Sequence, residues 1–384
     1  MRPPLRTMVV MGTRPEVMKL GPVAVELKKY PKQFGVTLVG TGQHREMVPQ
    51  HLGLFGLRLN HDLGVMKRRQ TLADITSRTM RGMYALLGEK RPDVLVVEGD
   101  TTAVLVAGLA AFYRQVPVAH VEAGLRTRDR YDPFPEEMNR RLVGGLAEVH
   151  FAPTAGAREN LLRENVSAES IFVTGNTSVD AVLLAAKRRP RQGAVPAGWL
   201  KGKRLVLVTA HRRESWERGI EEICLALRDL AEAFAEVVIV YAVHPNPVVR
   251  ETAERVLGGQ ERVHLIEPPG YVEFVDLMKR CYLILTDSGG IQEEAPSLNK
   301  PVLVMRRTTE RPEGVEAGCA ELVGTDRRGI VGRAAELLKD KDAYQAMASS
   351  GNPFGDGKAA VRIRRALAYH FGLSGRRPRD FAGM

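Results

Sequence analysis

The chain has 384 residues, 44% of them hydrophobic and 26% charged, with a formal net charge of +11 at pH 7. That length predicts two domains, and no stretch approaches the roughly 20 apolar residues of a membrane span. The basic residues are dispersed and aromatics make up only 6%, which argues against nucleic acid as a partner; the bland reading of the charge is a solvated surface, the sharper one attraction for anionic metabolites.

In chain order, MRPPLRTMVVMG has too short an apolar run for a secretory signal and flows into a first strand, so a cytoplasmic protein is expected. Apolar runs follow at 7–12, 35–40, 93–100, 116–124, 148–154 and 170–176, then at 204–211, 236–244, 262–268, 281–289 and 301–305. Each is mostly β-branched or leucine, the pattern of strands buried on both faces of a parallel sheet. Between them, PVAVELKKY and GIEEICLALRDLAEAF read as helices. Strand, helix, strand repeats through both halves, which predicts α/β architecture with two doubly wound, Rossmann-like domains. The boundary is expected in AAKRRPRQGAVPAGWLKGK, giving domains over 1–184 and 203–357. The last helical pattern, KAAVRIRRALAYHFG, could pack on either domain. Cys224, Cys281 and Cys319 are scattered without metal-ligand spacing, so neither zinc nor disulfides are expected.

In open α/β sheets ligands bind beyond the carboxyl ends of the strands, and those positions are rich in ionisable groups here. GTRPEVMK follows the first run, Asp100 the third and Glu122 the fourth. In the second half His211 and Arg212, then His244, then Asp287, Ser288, Gly289 and Gly290, and finally Arg306, Arg307 and Arg311 occupy the same kind of place. Facing each other, two such sheets would line one interdomain cleft. TDSGGIQEEAP can be read in that light. A bare Ser288–Gly289–Gly290 corner lets an anion approach backbone amides, and Glu294 lies one turn on, suited to a ribose diol. Arg14 and Lys19 are cations suited to a diphosphate. Each has a bland alternative: Pro15 as an ordinary helix start, Asp100 as a helix N-cap, Glu122 paired with Arg126 four residues on, Phe274 as a core residue beside Met278.

GTRPE, TGQHREM, VEGDT, HVEAGLRT, PFPEEMNR, TGNTSVD, TAHRRES, HPNP, TDSGGIQEEAPSLNKPVLVMR and TTERPE together resemble the non-hydrolysing UDP-N-acetylglucosamine 2-epimerases, over about residues 7–370. The resemblance implies a GT-B-like fold in which the final helix, within 358–384, returns to the first domain. It implies a homodimer that needs neither cofactor nor metal and interconverts UDP-N-acetylglucosamine and UDP-N-acetylmannosamine for surface polysaccharides. It places substrate contacts on Arg14, Lys19, Asp100, Glu122, His211, Phe274, Ser288, Gly289, Gly290, Glu294 and Arg311, with uracil near Phe274. It places a second, activating UDP-N-acetylglucosamine on Gln43, Glu46, Arg69, Glu136, Arg212 and His244. Glu46 departs from the glutamine common in the family, and a carboxylate cannot donate as an amide does.

The chemistry implied is elimination of UDP across C1–C2 to a glycal, followed by re-addition. It needs proton-transfer groups and cations for the departing diphosphate; Asp100, Glu122, Glu136 and His211 are the candidate catalytic residues. A GT-B glycosyltransferase using a UDP-sugar donor, a hydrolysing epimerase, an epimerase of a UDP-diacetamido uronic acid sugar, and a nucleotide-sugar sensor are the competing expectations.

Overall fold

Among the described residues, eleven of the thirteen strands form where the apolar runs lie. In the computed structural model, which describes residues 3–42, 47–65, 70–190, 192–212 and 218–383, the first seven are Leu5–Met11 (β1), Phe34–Gly40 (β2), His61–Asp62 (β3), Val94–Glu98 (β4), Val118–Val121 (β5), Val149–Ala152 (β6) and Ile171–Val173 (β7). They form one parallel sheet in the order β3-β2-β1-β4-β5-β6-β7. The other six are Arg204–Thr209 (β8), Val237–Ala242 (β9), Val263–Ile266 (β10), Leu283–Thr286 (β11), Val302–Val304 (β12) and Ala320–Leu322 (β13). They form a second parallel sheet in the order β10-β9-β8-β11-β12-β13. The two strands without a sequence signal are β3 and β13. The first is two polar residues and the second is Ala-Glu-Leu; both are edge strands, held by one neighbour.

The chain divides into two units, Met1–Ala181 with Phe354–Gly383, and Val182–Pro353. The division falls inside the helix Thr177–Ala186, ahead of the Pro- and Gly-rich stretch. In each unit the order of strands reverses at one place, between β1 and β4 and between β8 and β11. Such reversals open the crevice in which doubly wound sheets take ligands.

The helix after β1 runs Arg14–Lys28, starting well before PVAVELKKY. Its start is set by a capping box: the Thr13 side chain accepts from Glu16 N, and Glu16 Oε2 accepts from Gly12 N at 2.5 Å and Thr13 N at 3.3 Å. Caps of this kind stabilise a helix by about 1 kcal/mol. The last helix, Ala359–His370, packs its Ala360, Ile363, Ala366 and Leu367 into the core around Val9, Leu20 and Leu27. Arg364 pairs with Glu26 at 2.9 Å, and Asp180 caps the helix by accepting from Ala359 N at 3.1 Å and Ala360 N at 3.0 Å. No helix among the described residues is long and apolar enough to cross a membrane.

Candidate active site

At the reversal in the first sheet, β1 leads into Gly12-Thr13 and β4 into Gly99-Asp100. The two turns are tied together, because Thr101 Oγ1 donates to Glu16 Oε1 at 3.0 Å. Thr101, not Asp100, is the N-cap of helix Thr102–Tyr113, so the expected capping role of Asp100 is taken by its neighbour. Asp100 instead pairs with Arg140 at 2.5 Å, and its backbone oxygen accepts from Asn139 Nδ2 at 2.9 Å. Both partners come from helix Glu136–Leu146.

Glu122 follows β5 with φ +62°, a left-handed conformation that costs a non-glycine residue about 1–3 kcal/mol. Such strain persists only where surrounding contacts impose it. Here Ala123 N bonds Phe151 O at 3.1 Å, Asn176 Nδ2 donates to Glu122 Oε2 at 3.2 Å, and Glu122 pairs with the Lys19 ammonium. Its expected partner Arg126 is bound to Glu164 instead, at 2.6 Å. The next turn needs a glycine: Gly124 has φ +92°, and a Cβ there would meet Ala157 O at 2.2 Å.

Lys19 stands among the acids rather than free for a phosphate. Its Nζ also lies 3.4 Å from Glu98 Oε1, the last residue of β4. The result is a buried cluster of Glu16, Glu98, Asp100 and Glu122 around Lys19 and Arg140. Burial raises the pKa of Glu16, against hydrogen bonds from Gly12, Thr101 and Thr13. It raises Glu98 well above the carboxylate range, with Lys19 opposing and Glu122 adding. Asp100 is raised by burial, opposed by Arg140. Glu136, the first residue of its helix, is raised by burial and by Asp100. Arg14 is exposed at the first position of its helix.

Behind the cluster His120 is fully buried, with Nε2 2.8 Å from Gly99 O, and so braces the turn that presents Asp100. Burial drives its pKa down to about 3, and that of its cross-strand partner His150 to about 4. Both are neutral spacers rather than acid–base groups at neutral pH.

At the reversal in the second sheet, Asp287 follows β11 and is wholly buried. It accepts from the backbone N of His211 at 2.6 Å and of Arg212 at 2.7 Å, and its Oδ1 lies 3.0 Å from His211 Nδ1. Burial works against its charge, but these bonds prevail and hold its pKa below the usual value. His211 stacks on His244, ring centroids 5.7 Å apart, and burial lowers the pKa of His244, with His211 adding to it. Glu310, paired with Arg306 at 2.7 Å and 3.8 Å from Arg212, is held at about 2 although burial opposes its charge.

Ser288 precedes the short helix Gly289–Glu294. Neither Gly289 nor Gly290 has the φ that calls for glycine, and a Cβ would find only ordinary contact, Arg311 at 3.6 Å and Ser288 Oγ at 4.0 Å. The backbone and packing of the chain itself therefore do not require glycine at either position. Arg311 is aimed by Glu293 at 2.7 Å, and Glu294 accepts from Tyr271 Oη at 3.1 Å. Phe274 is half-buried on helix Tyr271–Arg280, one turn from the buried Met278.

The first unit thus gathers Lys19, Asp100, Glu122 and Glu136. The second gathers His211, Arg212, His244, Ser288, Gly289, Gly290 and Arg311. Gln43, Glu46 and Arg69 lie outside the described residues. Sequence reasoning missed Glu98, Arg140, Asn176 and Asp287 as site residues. Glu98 carried a signal, a carboxylate closing the apolar run VLVV; Asp287 carried another, its place at a strand end. Arg140 and Asn176 sit inside quoted motifs but gain their roles only by contact.

The model of the family UDP-N-acetylglucosamine 2-epimerase matches residues 26–368. A UDP-N-acetylglucosamine 2-epimerase of Escherichia coli is 52% identical over 370 residues, covering 94% of this chain and 98% of that one. One from Bacillus subtilis is 48% identical over 379 residues, covering 99% of each. The crystal structure of the Neisseria meningitidis enzyme bound to UDP-N-acetylglucosamine is 42% identical, with a TM-score of 0.87, covering 94% of this chain and 99% of that one. The two parallel sheets accordingly form a GT-B-like α/β fold.

Proposed function

This chain belongs to the UDP-N-acetylglucosamine 2-epimerase family, and we propose that it interconverts UDP-N-acetylglucosamine and UDP-N-acetylmannosamine by anti elimination and re-addition of UDP. A carboxylate takes the C2 proton while the C1–O bond to UDP breaks, giving a glycal. UDP then re-forms the C1–O bond as C2 regains a proton on the opposite face. Atoms and charge balance with no water consumed and no redox partner.

The observation that carries this reading is the buried acid cluster at the reversal of the first sheet. C2 carries a weakly acidic proton, so the site needs carboxyl groups that can both accept and hold protons near neutral pH. Burial raises the pKa of Asp100 and Glu136 in that direction, and the strained Glu122 is held in place by Lys19 and Asn176. We assign proton transfer to Asp100, Glu122 and Glu136. In the second unit the bare Ser288–Gly290 corner with Arg311 would take the diphosphate, Glu294 the ribose and Phe274 the uracil. His211, aimed by Asp287, would donate to the departing phosphate. Arg14 adds a further cation. One substrate molecule carries both features, a C2 hydrogen for the acids and a diphosphate for the corner.

Arg212 and His244, with Glu136, are the described part of the proposed activator site. A dimer is proposed through a surface on three helices, Leu72–Lys90, Thr102–Tyr113 and Glu136–Leu146, that exposes Tyr84, Phe112, Tyr113 and Leu142; Phe112 is 59% and Tyr113 58% exposed. Sedimentation of wild type and Phe112→Asp tests it, a monomeric wild type counting against it.

The experiment for the reaction is proton NMR of UDP-N-acetylglucosamine with the purified protein in deuterated buffer. Epimerisation exchanges the C2 hydrogen with solvent and yields a second UDP-sugar. Intact C2–H, or stoichiometric release of UDP, refutes the reading. Asp100→Asn and Glu122→Gln should each slow exchange by about 100-fold or more; near-normal rates in both would remove them from the mechanism.

A further inference from the structure

We infer that Glu98 is a positioning residue for this reaction: it holds the proton of a carboxyl pair that shares the Lys19 ammonium, and so keeps Glu122 as the charged member. The inference rests on the proposed role of Glu122 at C2.

Glu98 ends β4, the strand beside the reversal of order, with β1 on one side and β5 on the other. Four carboxyl groups face this region: Glu16 from helix Arg14–Lys28, Glu98 itself, Asp100 from the following turn and Glu122 from the turn after β5. The cations among them are Lys19, from the same helix as Glu16, and Arg140, already engaged by Asp100 at 2.5 Å and Glu137 at 3.5 Å. Full ionisation would bury excess negative charge without partners, which is strongly unfavourable. Protons are therefore retained, and hydrogen bonding decides where.

Glu16 accepts from Gly12 N, Thr13 N and Thr101 Oγ1, and donors of that kind favour a carboxylate. Glu122 accepts from Asn176 as well as meeting Lys19. Among the described residues Glu98 has the Lys19 ammonium as its polar contact, at 3.4 Å, and its side chain is only 3% exposed against 9% for Glu122. Glu98 is the poorest place for a negative charge and the best place for a proton, and its strongly raised pKa agrees.

When Glu98 ionises, a second carboxylate competes for one ammonium. Lys19 is drawn from Glu122, and the orientation that Asn176 and Lys19 jointly impose on Glu122 is lost. Turnover then falls on the alkaline side for a reason located at Glu98.

The test compares wild type with Glu98→Gln, which copies the protonated acid and cannot ionise. kcat/KM for C2 hydrogen exchange is followed from about pH 6 to about pH 10. Above the pKa of Glu98, the ratio of variant to wild-type rate should climb about tenfold per pH unit, because only wild type has that limb. A ratio that stays flat shows a merely structural role and overturns the inference. Absence of C2 exchange in both chains would instead defeat the epimerase reading. A readout independent of activity is isotope-edited infrared difference spectroscopy at neutral pH. The wild type should show the carbonyl band of a protonated carboxylic acid that Glu98→Gln lacks, and identical spectra overturn the assignment. If the variant does not fold, carbon-13 NMR of wild type labelled at glutamate carboxyls decides. One buried glutamate must titrate well above the ordinary range, and its absence overturns the proposal.

Discussion

Acid should weaken the first unit through two histidines that the reaction does not use. His120 and His150 are buried, neutral and paired across β5 and β6, with pKa values near 3 and 4. In the unfolded chain each returns to about 6.5. Below that value the unfolded state binds protons that the folded state refuses, so stability falls as pH falls. At about pH 4.5, some two units below the free value, the penalty is about 2.5 kcal/mol for each residue and about 5 kcal/mol for both. That is a large part of the stability of an ordinary domain. Buried carboxyl groups with raised pKa values push the other way, so the wild-type curve alone does not isolate the effect. His120→Gln does, because its amide can still donate toward Gly99 O but cannot titrate. At pH 7.5 the variant should be less stable than wild type by about 1–2 kcal/mol from imperfect packing. By about pH 4.5 the difference should move by about 2.5 kcal/mol in favour of the variant. Urea unfolding by circular dichroism measures it, and hydrogen exchange of peptides covering β5 localises it to the first unit. A constant offset between the two chains at both pH values would refute the reasoning, since it would mean that His120 takes up its proton without unfolding.

Asp180 runs the opposite way. Burial lifts it to about 6 although it caps two amides, so the folded form binds the proton more tightly and stability falls as pH rises from about 4 to about 6, by about 3 kcal/mol. Asp180→Asn should lose that slope, read by the same urea titrations. Asp287→Asn can keep an oxygen on His211 N and Arg212 N but removes the buried charge they bond and turns an NH2 toward His211 Nδ1, which should cost about 1–3 kcal/mol and lower kcat/KM at least about tenfold, measured by C2 exchange. Gly124→Ala should destabilise the chain by more than about 2 kcal/mol, because φ is +92° and the new methyl would meet Ala157 O; a thermal melt within a few degrees of wild type would contradict this.

Much of the molecule is written locally. The alternation of apolar strands with helical patterns specified two doubly wound sheets, and the capping box Thr13–Glu16 specified where the first helix begins. The ionisable groups after each strand pointed to the site, because parallel sheets bring all those ends to one edge. What local pattern cannot carry is which neighbour each charge meets. Arg126 stands four residues from Glu122 yet binds Glu164, because Glu122 is not on a helix but in a left-handed turn, where spacing along the chain no longer sets direction. Lys19 looks like a phosphate ligand in sequence and becomes the shared cation of two carboxylates once β1, β4 and β5 lie side by side. Glu98, Arg140, Asn176 and Asp287 acquire their roles from partners far along the chain, Lys19 for Glu98 and His211 for Asp287 among them. Residue type and period determined the frame; burial and long-range pairing, which exist only after the sheet closes, decided the protonation of the groups within it.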